Sequence, residues 1–233
     1  MCWYLCNQSH PDIQMAVSQC ARFTFCPKRS HEKALKRIGR YLKGFKKKGG
    51  RGLILKPSGD LRIDAYVDAD FSGLWSYEDP HDPTCVKSRM GYVLCVGNCP
   101  VVWMSKLQQE IALSTMEAEY IALSTAMKDI IPLQLLVHEA AVGVDLREEI
   151  LVSINTRVWE DNQGCLKLAR LPPPRMTPRS KHYALKYHWF RAHLRPNQIE
   201  IMPIDTNDQL ADIFTKALRP EKHLQMRKKL MHW

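Results

Sequence analysis

No uncharged apolar run in this sequence reaches the length of a membrane span. The nearest approach, residues 120–144, is broken by Lys128, Asp129, Pro132, His138 and Glu139. The opening MCWYLCNQSHPD lacks the basic start and apolar centre of a secretory leader. None of the eight cysteines forms a CxxC pair, and no cysteine follows the zinc-like spacing of His188 and His193. Several cysteines lie in apolar runs, where they read as small buried hydrophobes of a reducing, intracellular compartment. No internal repeat is present. Acid is absent from residues 163–198, which carry Lys167, Arg170, Arg175, Arg179, Lys181, Lys186, Arg191 and Arg195. Residues 28–51 are almost as one-sided, with Glu32 the single acid.

The 233 residues leave room for one medium domain and a smaller piece, and a 45% hydrophobic content is that of a chain with a real core. The net charge of +10 is concentrated in the two basic runs. A solvated helix face accounts for one such run. Two of them flanking an acidic site point to a polyanion held around a metal centre.

Residues 11–45 read as two helices, the first opening on Pro11 and the second carrying Ala34, Leu35, Ile38, Tyr41 and Leu42 on one side. KKKGGRG then marks a linker. Leu61, Ile63, Ala65 and Val67 alternate with Arg62, Asp64, Tyr66 and Asp68, the period of a strand. Residues 90–96 and 101–104 form a hairpin pattern split by GNCP. Helices are expected over 114–128 and 133–142, a strand over 150–159 and a short helix over 165–169. A basic aromatic helix over 181–194, a strand over 199–204 and helices over 208–217 and 221–231 complete the pattern. Strands alternating with helices in this order make a mixed α/β domain.

Four acids stand in separate settings: Asp68 in AYVDADFSG, Glu119 in STMEAEYIALS, Asp161 in VWEDNQG and Asp212 in QLADIFTKAL. Converging carboxylates repel unless a divalent cation neutralises them, and all-oxygen ligation suits Mg²⁺ or Mn²⁺. Asp68 alone reads as a strand-end acid capping the turn at Ser72-Gly73. Ser114 and Glu117 match a capping box, so Glu119, on the face of Ala122, Leu123 and Ala126, is the acid without a structural task. Asp161 reads equally as a helix N-cap or as a ligand at a strand's carboxyl end. Asp212 reads as half of a surface ion pair with Lys216, past the first turn of its helix.

Taken together, YVDADFSG, KSRMGYVL, VVWMSKLQQEIALSTMEAEYIALS, EDNQGCLKLA, SKHYALKYHWFR and QLADIFTKAL closely resemble the ribonuclease H region of copia-type LTR retrotransposon polyproteins. SHPDIQMAVSQCARF and HEKALKRIGRYLKG resemble the end of the preceding reverse transcriptase domain. The resemblance implies a ribonuclease H-like mixed five-stranded sheet flanked by helices over residues 56–218. Residues 1–55 would be a basic helical remnant of the reverse transcriptase thumb or connection, and residues 219–233 a basic C-terminal helix. It implies Asp68, Glu119, Asp161 and Asp212 as catalytic, metal-binding acids for two Mg²⁺ or Mn²⁺ ions. It further implies contacts to an RNA–DNA hybrid by Ser114, Gln163, Lys106, Lys181 and His182. The expected partners are that hybrid and the upstream reverse transcriptase, with no membrane. The expected location is the cytoplasm, in a virus-like particle, or the nucleus.

The chain departs from the family pattern at Ala184, where an acid is common, at MPIDT and at Phe45. None of these touches the four acids. His182 and His188 read as phosphate contacts or packing residues rather than proton shuttles. A polymerase is a poor fit, because Ala69 separates Asp68 from Asp70 and no palm precedes them. An integrase fails where Arg195-Pro196-Asn197 stand in place of its glutamate. The remaining alternative to a hybrid-cleaving nuclease is a silent fragment that binds nucleic acid or packs on a polymerase.

Overall fold

A computed structural model describes residues 1–47, 52–58, 61–75, 77–79, 81–144, 154–176 and 185–233. Its centre is a five-stranded sheet of β1 (Ile63–Asp70), β2 (Arg89–Val96), β3 (Cys99–Leu107), β4 (Thr156–Glu160) and β5 (Ile199–Pro203). The order is β3-β2-β1-β4-β5. β1, β2 and β3 pair antiparallel, whereas β4 and β5 add in parallel. The expected hairpin closes through Gly97-Asn98, both at positive φ (54° and 70°), which is the twist that a two-residue hairpin turn requires. This is the ribonuclease H-like mixed sheet that the motifs imply.

Helix α4 (Thr115–Gly143) covers one face. Two helices were expected there, broken near Pro132, but the helix runs through it. Proline deletes the bond to the carbonyl of Lys128, and since Lys128 and Pro132 are both exposed, water can satisfy that group. By length and composition alone α4 could cross a membrane, in contrast to the reading of 120–144; half of its apolar window is buried in the protein. Its residues Tyr120, Leu123, Met127 and Ile130 pack on Ala65, Val67, Tyr92 and Leu94.

The opposite face carries α7 (Asp212–Thr215) and α8 (Pro220–Met231), whose Ile213, Phe214, Met226 and Leu230 cover Val93 and Cys95. On the α4 side lie α5 (Gln163–Arg170), whose Cys165, Leu166, Leu168 and Ala169 join the same core, and α6 (Arg191–Leu194), which follows Phe190 of that core. The helix expected over 181–194 is not continuous within the described residues. A 3-10 turn at Leu185–Tyr187 precedes α6, because His188 and Arg191 turn inward to side-chain and carbonyl partners instead of lining one helix face. Arg195 still has helical backbone angles, and Pro196, which has no N–H to bond the Ala192 carbonyl, ends the helical ladder.

The N-terminal segment has α1 (Cys2–Gln8), which the periodicity did not reveal, then α2 (Gln14–Ala21) and α3 (Arg29–Lys47). A small cluster of Cys6, Ile13, Val17 and Ile38 joins them. Hydrogen bonds tie this segment to the sheet. Ser18 Oγ donates to the Ser105 carbonyl (2.9 Å), and Trp103 Nε1 donates to the Cys6 carbonyl (2.7 Å).

One glycine sets the distance between sheet and α7. Gly91 pairs with Asp68 across β1 and β2. A Cβ there would meet Phe214 Cβ at 2.5 Å and Thr215 Cγ2 at 2.9 Å. Gly91→Ala is therefore expected to destabilise the fold by about 1–3 kcal/mol, the usual range for overpacking. A urea titration followed by circular dichroism measures it, and an unchanged midpoint would contradict the close packing.

Candidate active site

Period two along β1 sends Ala65, Val67 and Ala69 to the α4 core and Asp64, Tyr66, Asp68 and Asp70 the other way. Asp68 is fully buried. It does not cap the turn that follows. Its Oδ2 accepts from the Thr215 hydroxyl, and its Oδ1 accepts from Lys216 Nζ at 3.0 Å. The same ammonium donates to Asp212 Oδ1 at 2.7 Å. The expected Asp212–Lys216 pair thus forms, but not at the surface, since Asp212 is buried. Nor is Asp212 past the first turn: the helix starts at Asp212. Gln209 explains that late start. Its side-chain amide donates to the carbonyl of Val67 (2.9 Å) and reaches that of Trp159 (3.4 Å), stitching β1 to β4 where their pairing ends.

On α4, Ser114 Oγ accepts the Glu117 N–H (3.1 Å), while Glu117 Oε2 accepts the Leu113 N–H (2.8 Å). Glu117 therefore serves the helix start. Glu119 is buried with Ala122, Leu123 and Ala126, and its Oε2 has no hydrogen-bond partner. An orphaned buried carboxylate oxygen is costly unless something else pairs it.

The N-cap of α5 is Asn162, whose Oδ1 accepts the Cys165 N–H at 3.0 Å. Asp161 is thereby relieved of the capping task and joins Asp68 and Glu119. One carboxylate oxygen from each lies within 4.8 Å of the others. At Gly164, where α5 meets α4, a Cβ would sit 2.7 Å from Met116 Sδ, a contact that the flexible methionine can relieve. Three hard oxygen donors with one unpaired buried atom fit a divalent cation such as Mg²⁺ or Mn²⁺.

The charges pay for their proximity in proton affinity. Burial, with the Asp212 charge adding and the Lys216 ammonium opposing, pushes Asp68 up to about 6. Burial raises Glu119 well above the carboxylate range, reinforced by Asp68, Glu160 and Asp161. Glu160, the residue before Asp161, is likewise pushed up by burial and its neighbours, even though its Oε1 accepts the Asn162 N–H.

The other expected contacts are scattered. Ser114 and Gln163 stand at the N-terminal ends of α4 and α5, Gln163 exposed. Lys106 is exposed on β3, two strands from Asp68. Lys181 and His182 lie outside the described residues. His188 is buried with Nδ1 2.9 Å from the Tyr120 hydroxyl, and burial lowers its pKa, as a packing residue requires. Sequence reasoning missed Thr215, Gln209 and Glu160. Only Glu160 left a signal, by falling two residues after buried Val158 in β4.

Comparison with known proteins bears on this arrangement. No family model matches the chain. The retrovirus-related Pol polyprotein from transposon RE1 of Arabidopsis thaliana is 32% identical over 210 residues, 90% of this chain and 13% of that protein. The corresponding polyprotein from transposon TNT 1-94 of Nicotiana tabacum is 32% identical over 227 residues, 96% of this chain and 15% of that protein. The chain belongs to the retrovirus-related Pol polyproteins of transposons. It spans about an eighth of the RE1 polyprotein, given the 13% coverage. Among solved structures, LC11-RNase H1 in complex with an RNA/DNA hybrid aligns with 66% of this Pol segment and 93% of its own chain, at 16% identity and a TM-score of 0.42.

The raised carboxyl pKa values carry a stability consequence. A carboxyl with a higher pKa folded than unfolded holds its proton more firmly in the folded state. Its contribution is fully present below the unfolded value and is lost as pH rises through the folded one. For Asp68 that window runs from 3.8 to about 6. Without divalent cations, the Asp68 contribution should fall across it. Glu119→Gln, which keeps the shape of the side chain and needs no proton uptake on folding, should raise the thermal midpoint near neutral pH and gain less in acid. Differential scanning calorimetry in chelator tests this, and a variant less stable than wild type near neutrality would contradict it.

Proposed function

We propose that this Pol segment is a ribonuclease H of the copia type that hydrolyses the RNA strand of an RNA–DNA hybrid. The observation that carries the reading is the convergence of Asp68, Glu119 and Asp161 on buried ground, with one Glu119 oxygen unbonded. Asp68, Glu119 and Asp161 would hold divalent cations between them, with Asp212 completing the shell of a second. Such ions supply a nucleophilic water and a stabilised leaving oxygen in phosphodiester hydrolysis.

The chain's own residues prepare that chemistry. Thr215 and Lys216 fix the Asp68 carboxylate by its two oxygens. Asn162 takes over the helix cap and leaves the Asp161 carboxylate available. Ser114 and Gln163, at the starts of α4 and α5, present small polar groups of the kind that read 2′-hydroxyls across a wide minor groove. The basic runs would grip the DNA strand, with affinity that falls as salt rises. On this reading the natural neighbour is the reverse transcriptase domain of the same polyprotein, for which residues 1–55 form the tail. The setting is a cytoplasmic virus-like particle or the nucleus.

The purified chain should cut the RNA strand of a labelled hybrid with Mg²⁺ or Mn²⁺, leaving 5′ phosphate and 3′ hydroxyl ends. Asp161→Asn should reduce cleavage to background while hybrid binding persists. Protein that binds the hybrid yet cuts it with neither metal would overturn the enzymatic reading in favour of a silent nucleic-acid-binding fragment.

A further inference from the structure

Lys216 has a place that its sequence setting does not predict. Its Nζ lies 3.0 Å from Asp68 Oδ1 and 2.7 Å from Asp212 Oδ1, so one ammonium bridges two buried carboxylates from β1 and α7. The Lys216 backbone is held, its N–H bonded to the Asp212 carbonyl at 3.0 Å. The side chain is not: a third of it is exposed, on a flexible four-carbon stem. By contrast, Glu119 presents an oxygen with no partner, and Asp161 has no ion pair among the described residues. The acid site is therefore divided. On one side carboxylates are open to a cation, and on the other a cation of the chain's own is already seated.

We propose that Lys216 is a resident counter-cation that competes with the second metal ion. The inference rests on the two-ion reading above. An ammonium and a divalent cation cannot both lie between the same two oxygens, and like charges at that range repel. Asp68, Glu119 and Asp161 would hold the first ion with the Lys216–Asp212 contact in place. Asp68 and Asp212 would hold the second only once the Lys216 ammonium had swung out toward solvent on its own stem. Lys216 thus keeps Asp68 and Asp212 together when metal is scarce and sets the metal concentration at which the site fills.

Calorimetric titration of the full chain with Mn²⁺ tests this directly, independent of activity. Wild type should show one tighter and one weaker site. Lys216→Met, which keeps the length and removes the charge, should tighten the weaker site about tenfold or more, equivalent to about 1.4 kcal/mol. Lys216→Arg should stay close to wild type. Two-site binding with the same affinities in wild type and Lys216→Met would overturn the Lys216 proposal while leaving the metal reading intact. Absence of Mn²⁺ binding by every variant would overturn both. If Lys216→Met does not fold, wild type alone decides by amine acylation and mass spectrometry, with the other lysines as internal standards. Lys216 should be protected without Mn²⁺ and labelled at saturating Mn²⁺. Labelling that does not change on saturation would overturn the proposal.

Discussion

Carboxylates withdrawn from water onto one end of a sheet repel each other with little solvent to screen them. Asp68, Glu119, Glu160 and Asp212 are all buried, with Asp161 half-buried beside them. Such a group is tolerable only if protons, ammonium or metal offset it. Protonation and an ammonium both act in the surrounding structure. Protonation is favoured at Asp68, Glu119 and Glu160, and the Lys216 ammonium spans Asp68 and Asp212. Within the Asp68–Glu119–Asp161 triad, Glu119 Oε2 still lacks a hydrogen-bond partner, which is why the triad is read as the place for a metal.

Holding the acids so close places demands on distant positions. β1 has partners on both sides as far as Tyr66, and Asp68 is still paired with Gly91 of β2. Gly91 lets α7 lie directly on β2, and this contact brings the Thr215 hydroxyl to Asp68. α5 packs against α4, with Gly164 next to Met116, and Asp161 lies beside Glu119. Gln209 fills the gap where β1 and β4 part. The N-terminal helices are connected to the same end. Buried Arg89 lies opposite Asp70 and donates to Ser18 Oγ (3.2 Å) and to Gln19, while Arg22 pairs with Glu78 at 2.6 Å in the loop after β1. The N-terminal helices are thereby wired to the loop that follows β1, the strand that carries Asp68.

Much of this was legible beforehand. Alternation identified β1, the GNCP break identified the hairpin, and the capping box separated Glu117 from Glu119. Where one residue type performs one local task, pattern reading is reliable. It failed where a side chain leaves its own element. Gln209 looks like a helix-cap residue and instead donates into the sheet, so the last helix begins at Asp212. His188 and Arg191 look like members of a basic helix face and are buried. Pro132 looks like a break and is carried within α4.

The residues themselves determined the order of strands and helices, the basic runs and the membership of Glu119, because periodicity and capping are local properties of a chain. Asp212 owed its place to family resemblance alone. Tertiary structure decided what those acids are to one another. Asn162 rather than Asp161 caps α5, Asp212 and Asp68 share one ammonium, and Glu160 is a further buried acid. The cap is a local choice between two neighbouring residues that can both serve, whereas the shared ammonium and the burial of Glu160 depend on segments far apart in sequence meeting after the sheet has formed.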